Sequence, residues 1–159
     1  MFRTGIGFDV HALVTDRPMI IGGVQISHTK GLLGHSDADV LVHAVMDAIL
    51  GALALGDIGQ HFPDTDSEFH GANSLELLGH VRGLVSEKGF VCTNLDSIII
   101  AEKPKMDPYI LKMRTNLASA LKITAEQVSI KATTTERLGF IGREEGIAAQ
   151  AVVLLNYIN

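Results

Sequence analysis

The sequence has no tryptophan, a single cysteine and few aromatic residues, which make up 5% of its 159 positions. Apolar residues nevertheless account for 47% of the chain and charged residues for 19%, so the chain is not compositionally disordered. The single cysteine, Cys92, excludes an internal disulfide and a zinc site built from cysteines, and we interpret it as a small strand residue. We therefore expect residues 1–159 to form one globular domain around an aliphatic core.

Positive charge is also scarce. The 13 basic residues are outnumbered by 18 acidic ones, and the formal net charge of −5 argues against nucleic acid as a partner. The opening residues, MFRTGIGFDVHA, contain neither the apolar stretch of a secretion signal nor a transit pattern. The apolar run over residues 40–59 is interrupted by one histidine and two aspartates, which makes it unsuited to crossing a membrane. These absences predict a soluble, cytoplasmic protein with no membrane partner.

The alternation of apolar and polar residues predicts an α+β protein. Two strands, residues 2–11 and 19–27, are expected to form a hairpin, and a helix capped by Ser36 is expected over residues 37–54. The remaining predicted elements are helices over 74–88 and 109–122, strands over 95–102, 128–135 and 146–157, and exposed loops over 60–72 and 136–146. Their order favours a two-layer sandwich, in which a mixed, largely antiparallel sheet carries helices on one face.

Polar residues interrupt two of these elements in a pattern that suits a metal ion. Asp9 and His11 are two apart in the first predicted strand, so their side chains leave the same face. His43 lies on the apolar helix expected to pack over that sheet, where a buried imidazole needs a partner. One carboxylate and two imidazoles leave an open coordination position, as in catalytic zinc sites, and the same set suits non-haem iron. On the residues alone, a hydrogen-bonded group in the core is the alternative.

Further acidic residues lie near this set. Asp39 and Asp47 stand one helical turn on either side of His43, where each can orient the histidine, anchor a neighbouring group or simply face solvent. Asp64 and Asp66, in a predicted loop, suggest a divalent cation or substrate hydroxyls, although acidic loops are often only solvated.

Another candidate cluster follows a later strand. The run TTTE at residues 133–136 precedes a glycine-containing turn and Arg143. Hydroxyls and backbone N–H groups there suit a phosphate, Arg143 can bind it with two donors, and Glu136 can hold magnesium. The alternative is an ordinary threonine-rich strand. Lys105 is a further candidate phosphate contact, although a lone lysine is commonly a solvated charge.

Four segments together resemble the 2-C-methyl-D-erythritol 2,4-cyclodiphosphate synthase family: GFDVHA, GHSDADVLVHAVMDAILGALALGDIGQHFPDTD, IIIAEKPKM and KATTTERLGFIGREEG. They occur in the family's order and span nearly the whole chain. The resemblance implies a homotrimeric lyase of the non-mevalonate isoprenoid pathway. It implies conversion of 4-diphosphocytidyl-2-C-methyl-D-erythritol 2-phosphate into the cyclic diphosphate and CMP, by metal-assisted attack of the 2-phosphate on the β-phosphate.

The resemblance also assigns residues to roles. It implies that Zn²⁺ is held by Asp9, His11 and His43. It implies a second ion, Mg²⁺ or Mn²⁺, held by Glu136 together with the substrate phosphates. His35 and Thr134 are implied to be catalytic, as stabilisers of the transition state. The substrate-binding positions it implies are Asp9, His11, His35, Ser36, Asp57, Ile58, Gly59, Phe62, Pro63, Asp64, Thr65, Asp66, Ala101, Glu102, Lys103, Pro104, Lys105, Met106, Asp107, Thr133, Thr134, Thr135, Glu136, Phe140 and Arg143.

Each segment of that set has its own implied role. Residues 57–59 hold the erythritol and ribose hydroxyls, and residues 62–66 form a loop over the erythritol. Residues 101–107 form a cytidine pocket that the neighbouring subunit supplies. Phe140 and Arg143 line a central cavity of the trimer, which is implied to take an isoprenoid diphosphate.

Two positions depart from the family pattern. Ile6 stands where many members carry a histidine, and Ala12 where many carry a basic residue, and neither belongs to the metal set. Two other functions are alternatives. One is a metal-dependent phosphohydrolase in which zinc activates water, and the other is a trimeric carrier of isoprenoid diphosphates without turnover.

Overall fold

The computed structural model describes residues 1–63 and 71–158. Its strands are β1 (Phe2–Thr15), β2 (Met19–Ile21), β3 (Val24–Ile26), β4 (Lys30–Leu32), β5 (Phe90–Ile100), β6 (Val128–Thr133) and β7 (Gly146–Tyr157). Its helices are α1 (Val40–Ala52), α2 (Ile58–His61), α3 (Ser74–Glu87), α4 (Asp107–Leu121) and α5 (Gly139–Gly142), with a 3-10 turn over Ala125–Gln127. No helix within these two ranges is long and apolar enough to cross a membrane.

The main sheet has five strands in the order β4-β1-β7-β5-β6, and β2 and β3 form a separate two-stranded ribbon. Strand β7 is antiparallel to both β1 and β5, and β4 is antiparallel to β1. Strand β6 runs parallel to β5, which it reaches through the crossover helix α4. The predicted α+β architecture with a mixed, largely antiparallel sheet is therefore confirmed.

Helix α1 lies very close to strand β1. A Cβ atom added to Gly7 would lie only 2.0 Å from the backbone oxygen of Ala44, so glycine permits this approach where a larger residue would not. His43 precedes Ala44 in α1, and Asp9 lies two residues beyond Gly7 on the same face of β1. The close packing therefore places the polar group of the helix directly over that of the strand.

Helices cover one face of this sheet, as predicted. The residues of β7 that face them, such as Ala149 and Val153, are buried. On the opposite face, four apolar side chains are 42% to 63% exposed: Ile6, Phe8, Val10 and Val152. These four residues define what we call the bare sheet face.

The predicted hairpin between residues 2–11 and 19–27 is wrong. Strand β1 pairs instead with β7 and, near its end, with β4. Residues 19–27 fold back on themselves at Gly22 and Gly23, whose φ angles of 58° and 67° lie in the left-handed region that favours glycine. The two glycines thus turn a segment that looked like one strand into the ribbon of β2 and β3.

The predicted helix over residues 37–54 is shorter in the structure, where α1 begins at Val40 and ends at Ala52. Ala38 has a φ of 57°, which is incompatible with a helix at that point. The cap is Asp39 rather than Ser36, because the Asp39 carboxylate accepts a hydrogen bond from the N–H of Val42.

The other elements lie close to their predicted positions. Helix α3 ends one residue before the predicted 74–88, α4 begins two residues before the predicted 109–122, and β7 spans the predicted 146–157. Strand β5 begins five residues before the predicted 95–102, and β6 ends two residues before the predicted 128–135. Helix α2 overlaps the start of one predicted loop, and α5 lies within the other.

Asp39 is a stability determinant that can be tested apart from the metal ligands. It is fully buried, and its carboxylate accepts hydrogen bonds from the backbone N–H groups of Gly22 (2.9 Å), Gly23 (2.6 Å) and Val42 (3.1 Å). We expect Asp39→Ala to lower the free energy of unfolding by about 2–5 kcal/mol, because it removes a helix cap and leaves buried donors unpaired. Urea denaturation measures this loss. The control Glu87→Ala, at an exposed position, should change stability by less than about 0.5 kcal/mol, and an equally small effect of Asp39→Ala would contradict the role.

Candidate metal centre and substrate cavity

Asp9, His11 and His43 meet at the junction of strand β1 and helix α1. The Oδ2 atom of Asp9 lies 3.0 Å from both His11 Nε2 and His43 Nδ1, and these two nitrogens are 3.1 Å apart. The three potential ligand atoms all lie within 4.8 Å of one another. One carboxylate oxygen and two imidazole nitrogens match the protein ligands of a catalytic metal site that keeps a position open. This metal triad can therefore hold a divalent ion.

The protonation state of the metal triad favours a positive charge at its centre. His11 Nδ1 lies 2.8 Å from the carbonyl oxygen of Leu33, which can only accept, so Nδ1 carries a proton while Nε2 faces the triad. Burial opposes ionisation of Asp9, but hydrogen bonding and charge at the two neighbouring imidazoles, His11 first, hold the pKa of Asp9 well below its usual range. Burial lowers the pKa of His11, but the hydrogen bond to Asp9, the charge of Asp9 and the hydrogen bond to Leu33 together outweigh burial and raise this pKa above its usual value. The carboxylate thus attracts a positive charge, which either a proton or a metal ion can supply.

The other nitrogen of His43 faces two serine hydroxyls. Nε2 lies 3.0 Å from Ser74 Oγ and 3.1 Å from Ser36 Oγ. Ser74 is fully buried and donates both its hydroxyl and its backbone N–H to the carboxylate of Asp37. The histidine ring is consequently held from both sides.

The triad opens into a cavity of about 410 Å³. The cavity is lined by Asp9, His11, Gly34, His35, Ser36, His43, Met46, Ile58, Gly59, Phe62 and Leu77. The fold thus brings the metal triad together with five of the predicted substrate-binding residues: His35, Ser36, Ile58, Gly59 and Phe62. Pro63 follows directly, whereas the predicted residues Asp64, Thr65 and Asp66 lie outside the described part of the chain.

Asp47 supports the wall of this cavity. Its Oδ1 atom accepts a hydrogen bond of 2.8 Å from the N–H of Ile58, at the start of helix α2. Asp57 caps the same helix by accepting a hydrogen bond from the N–H of Gln60. Of the two aspartates flanking His43, Asp47 therefore anchors a neighbouring group, as predicted, while Asp39 caps α1 and holds the turn between β2 and β3. The hydrogen-bond partners of the His43 ring are Asp9, His11, Ser36 and Ser74 instead.

Loss of the Asp47 contact should weaken substrate binding more than metal binding. We expect Asp47→Ala to raise KM about tenfold or more, because a hydrogen bond to a charged group contributes about 1.5–3 kcal/mol and the Ile58 backbone loses its anchor. Steady-state kinetics and metal analysis measure the two effects, and the zinc content should stay unchanged. Asp47→Asn, which keeps an acceptor oxygen, serves as the matched control and should stay close to the parent. An unchanged KM in Asp47→Ala would show that this contact does not shape the site.

A second group of predicted residues lies at the carboxyl ends of β5 and β6. Glu102 joins the two segments, since its Oε1 accepts hydrogen bonds from the N–H and hydroxyl of Thr135 and from the N–H of Arg137. The hydroxyl of Thr134 donates to Glu136 Oε1 at 3.3 Å. Within the described chain, neither residues 101–107 nor residues 133–136 line the cavity of the metal triad.

The remaining predicted side chains differ in their surroundings. Lys103 pairs with Glu144 at 3.1 Å, and Arg143 pairs with Glu145 through two hydrogen bonds of 2.9 Å. Ala101 and Met106 are buried, while Lys105, Asp107 and Thr133 are exposed. Phe140 is 43% exposed.

Three residues that shape the site were missed by sequence reasoning. Ser74 and Asp37 were interpreted only as part of helix starts, because serine and aspartate are common there. The guanidinium of Arg17 donates to the carbonyl oxygens of Gly34 (3.0 Å) and Ser36 (3.1 Å) and so fixes the loop beside the triad. Nothing local in the sequence marks Arg17 for that role.

The fold and the site together define a class of protein: a small α+β protein with a carboxylate-histidine-histidine metal triad that opens into a substrate-sized cavity. The YgbB family model matches residues 2–156, and the chain belongs to the YgbB family. This membership agrees with the resemblance drawn from the motifs.

Named relatives and solved structures support this placement. A relative from Desulfitobacterium hafniense (strain DSM 10664 / DCB-2), named 2-C-methyl-D-erythritol 2,4-cyclodiphosphate synthase, is 63% identical over 155 residues, which cover 98% of each chain. The structure of the bifunctional IspDF from Campylobacter jejuni matches all of this chain at a TM-score of 0.96 and 48% identity, but only 43% of that longer chain is covered. The CDP complex of IspF from Plasmodium falciparum matches at a TM-score of 0.88 and 34% identity, covering 99% of this chain and 97% of that one.

Proposed function

We propose that the protein converts 4-diphosphocytidyl-2-C-methyl-D-erythritol 2-phosphate into 2-C-methyl-D-erythritol 2,4-cyclodiphosphate and CMP. This is a lyase reaction of the non-mevalonate isoprenoid pathway. The observation that carries the proposal is the convergence of Asp9, His11 and His43 at a cavity, in a chain 63% identical to a protein named for this product. The match covers 98% of both chains, so the similarity extends over the whole site.

The metal triad fits Zn²⁺ by ligand type and number, and Asp9, His11 and His43 are the residues that would hold it. Glu136, together with the substrate phosphates, would hold a second ion, Mg²⁺ or Mn²⁺. When bound, the two ions supply the positive charge that brings the mutually repelling phosphates together. This assignment explains how a chain with a net charge of −5 binds a polyanion.

The chain's own residues are needed to position phosphates rather than to move protons. The second pKa of a phosphate monoester is about 6, so the attacking 2-phosphate is already largely ionised at pH 7. CMP leaves as a stable anion and needs no general acid. His35 and Ser36 line the cavity beside the triad, and we assign them to the phosphates, with His35 and Thr134 stabilising the transition state. Holding the two ends of one substrate in line contributes several kcal/mol to lowering the barrier.

The erythritol and ribose hydroxyls are assigned to residues 57–59. Ile58 and Gly59 line the cavity, and the anchor from Asp47 keeps their backbone in place. Phe62 and Pro63, with residues 64–66, are assigned to the loop over the erythritol.

The bare sheet face supports assembly as a homotrimer. Four exposed apolar side chains on one sheet surface need a partner, and a closed ring of three chains would bury them around the axis.

Residues 101–107 and 133–136 lie outside the cavity of their own chain, which favours a site completed by the neighbour's cytidine pocket. The CDP in the Plasmodium falciparum relative supports a cytidine-linked substrate. At the axis, Phe140 and Arg143 are assigned to a cavity for an isoprenoid diphosphate.

Product identification tests the proposed reaction against a phosphohydrolase. A cyclase releases CMP without inorganic phosphate, whereas a hydrolase that activates water at the metal releases phosphate in proportion to turnover. Tight binding of an isoprenoid diphosphate without any turnover of the cytidyl substrate would favour a carrier instead.

A further inference from the structure

We infer that Asp37 and Ser74 are positioning residues that fix the tautomer of His43, and with it the nitrogen that faces the metal. The inference rests on the proposed use of the triad as a metal site. It concerns two residues that neither the motifs nor the ligand set assign. Their contacts lie on the side of His43 that faces away from Asp9 and His11.

The direction of the hydrogen bonds follows from the donors available. As a carboxylate, Asp37 can only accept, and it accepts both the hydroxyl and the backbone N–H of Ser74. The hydroxyl of Ser74 has one proton, which is therefore committed to Asp37. His43 Nε2 lies 3.0 Å from that hydroxyl oxygen, so Nε2 must carry the proton of this hydrogen bond itself.

The tautomer of His43 decides which of its nitrogens can bind the metal. A neutral imidazole carries one proton, so a proton on Nε2 leaves the lone pair on Nδ1. Nδ1 is the atom that lies 3.0 Å from Asp9 Oδ2 and 3.1 Å from His11 Nε2. A carboxylate behind a metal-binding histidine commonly selects its tautomer in this way, and here a buried serine hydroxyl stands between the two.

The same arrangement affects Ser36. Its Oγ accepts a hydrogen bond of 3.2 Å from the N–H of Ala38 and lies 3.1 Å from His43 Nε2, whose one proton is shared between the two serine oxygens. A protonated Nε2 cannot accept the hydroxyl proton of Ser36. The hydroxyl proton of Ser36 is then available to another acceptor. Because Ser36 lines the cavity, that proton suits a substrate phosphate.

The test compares Asp37→Asn and Ser74→Ala with Ser86→Ala, which changes an exposed serine of the same helix α3. An asparagine has an NH2 group in place of one acceptor oxygen, so Asp37→Asn cannot satisfy both donors of Ser74 and no longer commits the hydroxyl proton of Ser74 away from His43. Competition with a chelator measures zinc affinity, which should fall about 10- to 100-fold in both variants and stay unchanged in Ser86→Ala.

A spectroscopic readout separates positioning from mere structural support. Imidazole ¹⁵N shifts of the metal-free protein at pH 8 should show His43 protonated at Nε2, and Asp37→Asn should shift the proton toward Nδ1. Protonation of His43 at Nδ1 in the unaltered protein would overturn the inference, whether or not the variants fold. Unaltered zinc affinity in the folded variants would overturn it as well. Absence of zinc binding in the unaltered protein would instead refute the proposed metal site, so the two failures are distinguishable.

Discussion

A His43→Ala variant is expected to lose zinc and turnover while it stays folded. It removes one of three protein ligands, so the two remaining ligands should hold the ion only weakly. Turnover should fall at least about a thousandfold, because a bound metal supplies several kcal/mol of charge stabilisation and each 1.4 kcal/mol is worth a factor of ten. The fold should persist, since the buried apolar residues of α1 around His43 are unchanged. Metal analysis of the purified variant and a turnover assay measure the two effects.

The matched control is His80→Ala, at an exposed position on α3 outside the metal triad. It should keep full zinc occupancy and activity. Circular dichroism confirms that both variants are folded. Full zinc occupancy in folded His43→Ala would remove His43 from the site.

Two variants that are each inactive should regain activity when they are assembled together. His43→Ala damages the metal triad, and Lys105→Glu reverses a charge at an exposed position of the proposed cytidine pocket. If each site combines the triad of one chain with the pocket of the next, some interfaces in a mixed trimer join two intact halves. Random assembly from equal amounts gives about one site in four with both halves intact, so about a quarter of the parental activity should return.

This experiment depends on showing that mixed trimers form, which mass spectrometry of the reassembled sample establishes. Each variant reassembled alone is the control and should stay inactive. If mixed trimers are present and no activity appears, the triad and the cytidine pocket belong to one chain. The proposal of a site shared between subunits would then be wrong, although the proposed metal site would be unaffected.

The metal triad could be found from the sequence because local periodicity places its members. Asp9 and His11 share a face of any strand, and His43 interrupts an apolar helix that has to pack on a sheet. The close contact that joins them depends on Gly7, which periodicity does not single out. The residues that tie the triad in place were harder to find, since Ser74 reaches His43 across 31 positions of the sequence.

The fold class was predictable from the sequence, but the pairing of the strands was less so. Apolar alternation located most strands and helices, but the pairing of β1 with β7, at the opposite end of the chain, is a tertiary contact that no short pattern encodes. For residues 133–136 and Lys105, local chemistry suggested a phosphate and a magnesium ion but left a threonine-rich strand and a solvated charge as alternatives. The resemblance assigned their roles, because within one chain they lie apart from the cavity of the metal triad.

The most direct test of the central claim is a turnover assay on the cytidyl substrate, followed by ³¹P NMR, with the protein first stripped by a chelator and then reloaded with Zn²⁺ and Mg²⁺. We expect no turnover after stripping. After reloading, we expect equal amounts of CMP and 2-C-methyl-D-erythritol 2,4-cyclodiphosphate, with no inorganic phosphate. Release of inorganic phosphate in proportion to turnover, or cyclisation at full rate by the stripped protein, would show that the protein is not a metal-dependent cyclase.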